Sequence, residues 1–595
     1  MNNEPIPPLK TMTRAAILMM ALMGMQARLA AVGSWTPLSN LIPTSSAGHM
    51  LLLSDGTVMV QDDGGNHWSR LSPDTQGHYV HGQWTALHSM NDARAFYSSE
   101  VLTDGRVFVA GGEYGNSGTQ FDPVGARAEI YDPVADSWQQ INPPASLLNY
   151  TNQSPAGNDN QLQAFYDSNS ILLPNGSVLV APVNPSTYNG TLIYLPALSL
   201  WTNGPDNLYN PQGIGSQAET SWVKLPDDSI LTIDPAGNDV VGTNAERYIP
   251  SLNRWIADQG VPVALFDAVP GSIGEIGAAF LLGSGSVAGD AFYLGASGHT
   301  AFYTPSGNTT PGAWTQGPDI PNGYVTADAP AAMLVNGKIL CAVTPAANHG
   351  TNYFYEFDPV TQAFTQVGSP TGGLYDNYNI SDRTSMLDLP DGTVLYNDSS
   401  QRLFVYTPDP ATLPLAAGKP AVNYITYNTD GSLHLAGTLF NGISQGAGYG
   451  DESQQDSNYP LVRFTDGSGN VFYGRTYNWS STSVMSGSRQ VTTDCALPAN
   501  IFYFDPGVAF SISIVANGIS SDPITFYGPD WVDFNYTSVF QIGSYFAPFG
   551  TLANGIANVP VGGTIAIKPG HSSITPTLSK PMIITAVGGT AIIGQ

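Results

Sequence analysis

From residue 50 onward, short apolar runs alternate with polar turn residues in a pattern that keeps returning. Its first half reads "MLLLSDGTVMV", "SEVLTDGRVFVAGG", "SILLPNGSVLVAP", "SWVKLPDDSILTI", "AAMLVNGKILCAV" and "SMLDLPDGTVLYN", with a looser copy in "AAFLLGSGSVAGDAFYLG". Each is an apolar strand, a tight turn and a second apolar strand, and the Asp-Gly and Asn-Gly pairs supply the positive φ angles that such hairpins demand. The second half is an aromatic strand ending at Pro or Asp-Pro, followed by a Trp strand: "AEIYDPVADSW", "TLIYLPALSLW", "AERYIPSLNRW", "TAFYTPSGNTTPGAW" and, with Phe for Trp, "YFYEFDPVTQAF". Each unit thus predicts four short strands. A lone four-stranded sheet cannot bury both faces, so such units pack side by side around an axis as propeller blades.

The last copy, "TVLYNDSSQRLFVYTPDP", runs out before any Trp strand, whereas "GSWTPL" near the start is a Trp strand with nothing before it. Trp35 to Leu38 are therefore expected to complete the final blade and remove the open sheet edges. The Trp series (Trp84, Trp138, Trp201, Trp255, Trp314) is read as packing. After residue 415 the repeat stops. Residues 420–527 alternate as in "LVRFTDGSGNVFYGRTY", with the turn spacing of an immunoglobulin-like sandwich. The tail, 531–595, has short β runs between Gly and Pro turns and reads as the opening coils of a parallel β-helix, fewer than such a solenoid needs to stand alone. Packing within the chain or self-association would cover its open end.

Composition narrows the partners. Only 11% of residues are charged, Gly (64) and Pro (45) are abundant, and the formal net charge is −27. A chain so acidic lacks the clustered cations that displace counterions from phosphate backbones, so no nucleic acid partner is expected. Lys10 and Arg14 precede "AAILMMALMGM", a run of signal-peptide length and too short to span a bilayer. Residues 1–33 are read as a signal peptide cleaved before Ser34, with a buried N-terminal helix as the alternative; no transmembrane anchor is expected, and the protein is placed outside the cytoplasm, secreted or periplasmic. The two cysteines, Cys341 and Cys495, fall in different domains and exclude a disulfide framework. They are read as small buried hydrophobes, with an inter-domain bridge as the alternative.

The repeat resembles kelch repeats, and the count is about seven. A kelch propeller followed by an immunoglobulin-like (early set) domain is the layout of galactose oxidase and glyoxal oxidase, and the resemblance covers residues 35–527. The fold class it implies is all-β: a seven-bladed propeller over 34–415, a sandwich over 420–527 and a β-helix-like tail over 531–595. In that family the copper ligands lie just before the inner strands, nine or ten residues ahead of the hairpin glycine, at the axial mouth. Here that offset lands on Phe96 (from Gly105), next to a retained Arg94, where the family has its radical-forming Tyr; on Ala47 (from Gly56) in place of the crosslinked Cys; and on Asp382 and Arg383 (from Gly392) in place of Tyr and His. A phenyl ring has no phenol oxygen, and a guanidinium stays protonated and does not ligate metal. Tyr114, after "GGE", stands where the family stacks a Trp, and "RTYNWSSTSVMSGS" lacks the loop His. Tyr97 lies one residue from Phe96 and could swing in, but would restore one ligand.

The same offset lands on carboxylates in five units: Asp167, Glu219 and Asp328 at nine, Glu275 and Asp382 at ten. With Arg94 and Arg383 at the rim they would line a pocket for a hard cation, with calcium as the candidate, or for sugar hydroxyls; the alternative is that each only ties blades together. The nine histidines, among them His49, His67, His78, His81, His299 and His349, show no metal-binding spacing, and most fall in loops where a solvated His is the default. Sequons such as Asn149, Asn189 and Asn478 matter only in a glycosylating host. The chain is thus expected to bind carbohydrate or another cell-surface polymer without cofactor, with copper disfavoured. The alternatives are a copper radical oxidase whose ligands lie elsewhere, and a polysaccharide hydrolase or lyase working through the carboxylates.

Overall fold

The computed structural model describes residues 33–116, 118, 123–148, 165–181, 190–208, 217, 219–234, 243–267, 274–345, 350–449, 453–498 and 509–595. All of the expected signal peptide except Gly33, together with Asn149, Asn189 and His349, lies outside the described residues. Among the described residues, no helix is long and apolar enough to cross a membrane.

The chain is all-β and its repeats form a β-propeller. Five consecutive four-stranded antiparallel sheets follow the predicted units: blade I spans 50–86, blade II 98–140, blade III 170–203, blade IV 223–257 and blade V 279–316. A sixth, closing blade combines Ser385–Asp388, Val394–Asn397 and Phe404–Thr407 with Ser34–Pro37 from the opposite end of the chain. Trp35 pairs with Tyr406 there. Its indole packs on Phe354, Tyr396 and Tyr406, and Nε1 donates to Gly368 O at 2.6 Å. Strand closure is as the broken repeat predicts.

Between blade V and the closing blade lies a composite sheet. Pro330–Met333, Ile339–Pro345, Asn352–Asp358 and Ala363–Val367 run side by side in chain order, and the hairpin Gly446–Tyr449 and Ser453–Asp456 adds to the innermost strand. That hairpin plugs the central channel. It touches the inner strands of blades I, II, III and V and of the closing blade, and Gln445 Oε1 accepts from Lys224 N in blade IV at 3.4 Å.

Apart from the channel hairpin, the strands of 421–527 join in one eight-stranded antiparallel network whose two halves share a strand and a core. Strand Val471–Tyr477 is the shared one: 471–474 pairs with Val462–Thr465, and 475–477 pairs with Asp494–Ala496. The two halves close on Leu433, Leu435, Val462, Phe464, Val491, Cys495 and Ile514. Cys495 sits in this core and Cys341 in the core of the composite sheet; both are buried free thiols, so the alternative of a bridge is overturned. In the tail, Asp530–Val532, Thr564–Ile567 and Ile583–Ala586 pair in parallel, as do Gly570–Ser572 and Ala591–Ile593. Helix Leu552–Asn558, N-capped by Thr551, buries Leu552 and Ile556 against them. Gly588 N–H donates to Thr429 O, which ties the tail to the eight-stranded sheet.

Candidate axial-mouth binding site

Each blade enters its inner strand from the mouth. The entry residues repeat one backbone conformation: Phe96 (φ 51°), Asp167 (42°), Glu219 (54°) and Asp328 (42°) are all left-handed. Few residues other than Gly take this conformation, and Phe and Glu do so rarely. All four lie at offset nine; Ala47 and Arg383, also at nine, and Glu275 and Asp382, at ten, do not share it. The offset read from sequence thus marks a recurrent bend at the blade entrance.

The bend brings two groups of side chains together. Glu219, Glu275 and Asp328, all half-buried, place one carboxylate oxygen each within 4.8 Å of the others. Among the described residues no other set of three or more His, Cys, Asp or Glu side chains is so arranged. Three carboxylates without an imidazole form the donor set of a hard, oxygen-preferring cation.

The second group lines a pocket where blades I and II meet the closing blade, with Phe96, Asp382 and Arg383 in its wall beside His49, Gln61, Asp63, Tyr97 and Gln455. The Arg383 guanidinium lies 5.2 Å from the centre of the Phe96 ring, close enough for a cation–π contact, and 3.5 Å from Asp63. Tyr114 meets Phe96 edge-on at 6.2 Å and is 39% exposed. Burial raises the pKa of its phenol, and Glu113 and Asp167 push the same way against the opposing pull of Arg383.

Two expected members are elsewhere. Arg94 is not at the rim: its side chain is fully buried, with Nη2 2.7 Å from Glu129 and Nη1 donating to Gly111 O at 2.6 Å. Arginine here anchors the loop before the inner strand of blade II. Ala47 is also fully buried and does not line the pocket; Gly48 and His49 do. His49 is no solvated loop residue: its Nε2 pairs with Ser99 Oγ at 2.7 Å, and burial lowers its pKa to about 3, which leaves it neutral. Tyr97 has not swung into the pocket as a free phenol. It is buried, and its hydroxyl donates to Gln61 Oε1 at 2.7 Å.

Sequence reading missed His49, Gln61, Asp63 and Gln455. The first three flank the inner hairpin of blade I, where only offset nine was read. Gln455 arrives on the channel hairpin, a different segment from the 475–488 loop expected to reach the mouth. The spacing of polar residues in "YGDESQQDSN" gives no hint of insertion.

No protein-family model matches the chain, and no curated protein does. Solved structures do. One is described as a novel fungal alcohol oxidase with catalytic diversity among the AA5 family, in complex with copper: 13% identity, covering 84% of this chain and 99% of the other, TM-score 0.47. Another is streptogramin B lyase: 10% identity, covering 63% and 98%, TM-score 0.38.

Proposed function

We propose that this is an extracytoplasmic, galactose-oxidase-like propeller that binds a hydroxyl-rich ligand, a glycan or cell-surface polymer, at the axial mouth and carries no copper-radical centre. Its composite sheet serves as the seventh blade. The observation that carries the reading is the side-chain set around Phe96. An apolar ring beside an exposed phenol offers faces for the C–H side of a sugar, while Arg383, Asp63 and Asp382 supply charged hydrogen-bonding groups around it. The same set does not fit copper. The entry residue of blade II has no oxygen donor, a cation covers its ring, the adjacent Tyr97 phenol is engaged by Gln61, and the His49 imidazole is engaged by Ser99.

Calorimetric titration with neutral and acidic oligosaccharides, with and without calcium, tests this reading. At least one is expected to bind, and Arg383→Ala to weaken it roughly 10- to 100-fold, the loss of one charge-assisted hydrogen bond. An Arg383→Ala variant with unchanged affinity, or a panel in which nothing binds, sinks it. The closeness of Glu219, Glu275 and Asp328 favours a second reading, acid/base cleavage of the bound glycan, which needs paired carboxyl groups at the scissile bond. Reducing ends or unsaturated products in the same mixtures, lost in Glu275→Gln, would select it.

A further inference from the structure

Neighbouring blades diverge toward the rim, and side chains of the chain itself fill the wedges. One filling position is the middle of the third strand, fixed by register: Met59 faces Arg70 in blade I, Leu179 faces Ile193 in blade III, and Leu231 faces Arg247 in blade IV. Arg70 Nη2 reaches Tyr131 Oη (3.4 Å) and Pro133 O (3.5 Å) of blade II. Arg247 donates to Asn308 O (3.1 Å) and Thr310 O (2.6 Å) of blade V. Blade II has Ile130 at this position, and Arg106 from its hairpin turn substitutes, with Nη2 3.4 Å from Pro196 O of blade III. In each case a guanidinium caps the loop that follows the aromatic strand of the next blade. Blade V uses Phe302, stacked on Phe292, which in turn stacks on Phe357.

Among the described residues, the wedge between blades III and IV lacks such a filler. Ile193 occupies the strand position and Ser177 the turn position, and both line a cavity of about 520 Å³, a volume typical of small-ligand sites. The acceptors are nevertheless in place. Tyr248 Oη donates to Asn253 Oδ1 at 2.9 Å, as Tyr131 Oη donates to Asp136 Oδ1 at 2.8 Å while facing Arg70. Pro250 O accepts from Asn253 N–H, as Pro196 O accepts from Ser199 N–H while also facing Arg106. Tyr248 and Pro250 line the cavity with Asp227 and Asp228. Arg247 pairs with Asp227 Oδ2 at 3.8 Å and Arg489 with Asp228 Oδ2 at 3.6 Å, ion pairs longer than a hydrogen bond, while Asp227 Oδ1 accepts from Ser229 N and Oγ.

We propose that the cleft between blades III and IV binds a guanidinium group from outside the chain, on an arginine side chain of a partner or on a free small guanidine. The site repeats the acceptor arrangement that Arg70 and Arg106 satisfy internally and adds two carboxylates, a match for a planar cationic fork.

Titration of the full chain with Nα-acetylarginine methylamide, agmatine and Nα-acetyllysine methylamide tests it. Saturable one-to-one binding of the guanidinium compounds is expected, at least tenfold tighter than the lysine derivative. Tighter binding of the methylamide assigns the partner side chain as the source, tighter binding of agmatine a free guanidine, and equal binding a site that reads the guanidinium alone. Ile193→Arg, which copies blade I, should abolish binding and raise Tm; Tyr248→Phe should weaken binding at least fivefold in a folded protein even if Ile193→Arg fails to fold. Absence of saturable binding, equal affinity for lysine, or affinity unchanged in a folded Ile193→Arg and in Tyr248→Phe overturns the proposal.

Discussion

Arg94→Ala is expected to destabilise the propeller by about 3–5 kcal/mol, because it leaves a buried charge without its partner. Glu129 is itself fully buried, and its carboxylate accepts from Asn91 N (2.8 Å), Asn91 Nδ2 (2.6 Å) and Asp92 N (3.2 Å). These bonds hold the carboxylate in place after Arg94 is removed, so it cannot swing to water. Gly111 O loses its donor as well. Replacing both charges by methionine should recover much of the loss, because the desolvation penalty of the pair disappears with it. Denaturant titration of the wild type, both single variants and the double variant measures the coupling. A loss below about 1 kcal/mol in Arg94→Ala would return this residue to the exposed rim, since surface pairs contribute on that scale.

The second large effect is on pH dependence. Asp388 ends the inner strand of the closing blade, fully shielded against the channel hairpin, and Ser457 Oγ donates to its Oδ2 at 3.1 Å. Burial pushes its pKa up to about 8, with the Ser457 hydrogen bond pulling the other way. A carboxyl that is harder to ionise in the folded chain favours folding while it stays protonated. Its contribution is therefore fully present below the unfolded value near 3.8 and is lost as pH rises toward about 8. At roughly 1.4 kcal/mol per pH unit, the loss across that window is on the order of 5 kcal/mol. Burial also raises the carboxyls of Glu100 and Asp456 around the same hairpin, which adds to this slope, whereas the lowered ammonium of Lys224 contributes in the opposite sense, as pH rises toward its unfolded value of 10.5. Asp136 and Asp494, whose pKa values are lowered, act in the opposite sense, and their contributions fade only in stronger acid. The melting temperature should be higher near pH 5 than near pH 8, and Asp388→Asn should flatten that slope. A wild type that melts higher at pH 8 contradicts the assignment.

The blades were legible because their signals are local. Asp-Gly and Asn-Gly turns fix each inner hairpin, and the paired ends of the ring follow from one missing Trp strand. The mouth was legible in part: counting back from the turn found the bend at Phe96, Asp167, Glu219 and Asp328 because all lie on equivalent chain segments. Arg94 shows the limit of that count. Its buried side chain turns to Gly111 O and Glu129 of blade II, a direction that depends on Glu129, 35 residues later in the chain. The channel hairpin was illegible for a related reason. Residues 446–456 have the polar composition of a surface loop, and only their pairing with Pro330–Met333 makes them interior. The two halves over 421–527 are joined because one strand, Val471–Tyr477, serves both, a choice of partner that alternation cannot reveal.

Copper loading tests the central claim most directly. The protein is incubated with excess Cu(II), desalted, and assayed for bound copper and for peroxide release on primary alcohols and aldehydes. Without a phenol at position 96, the protein is expected to retain no stoichiometric copper and to release no peroxide. One copper per chain with turnover and a tyrosyl-radical signal would contradict the account.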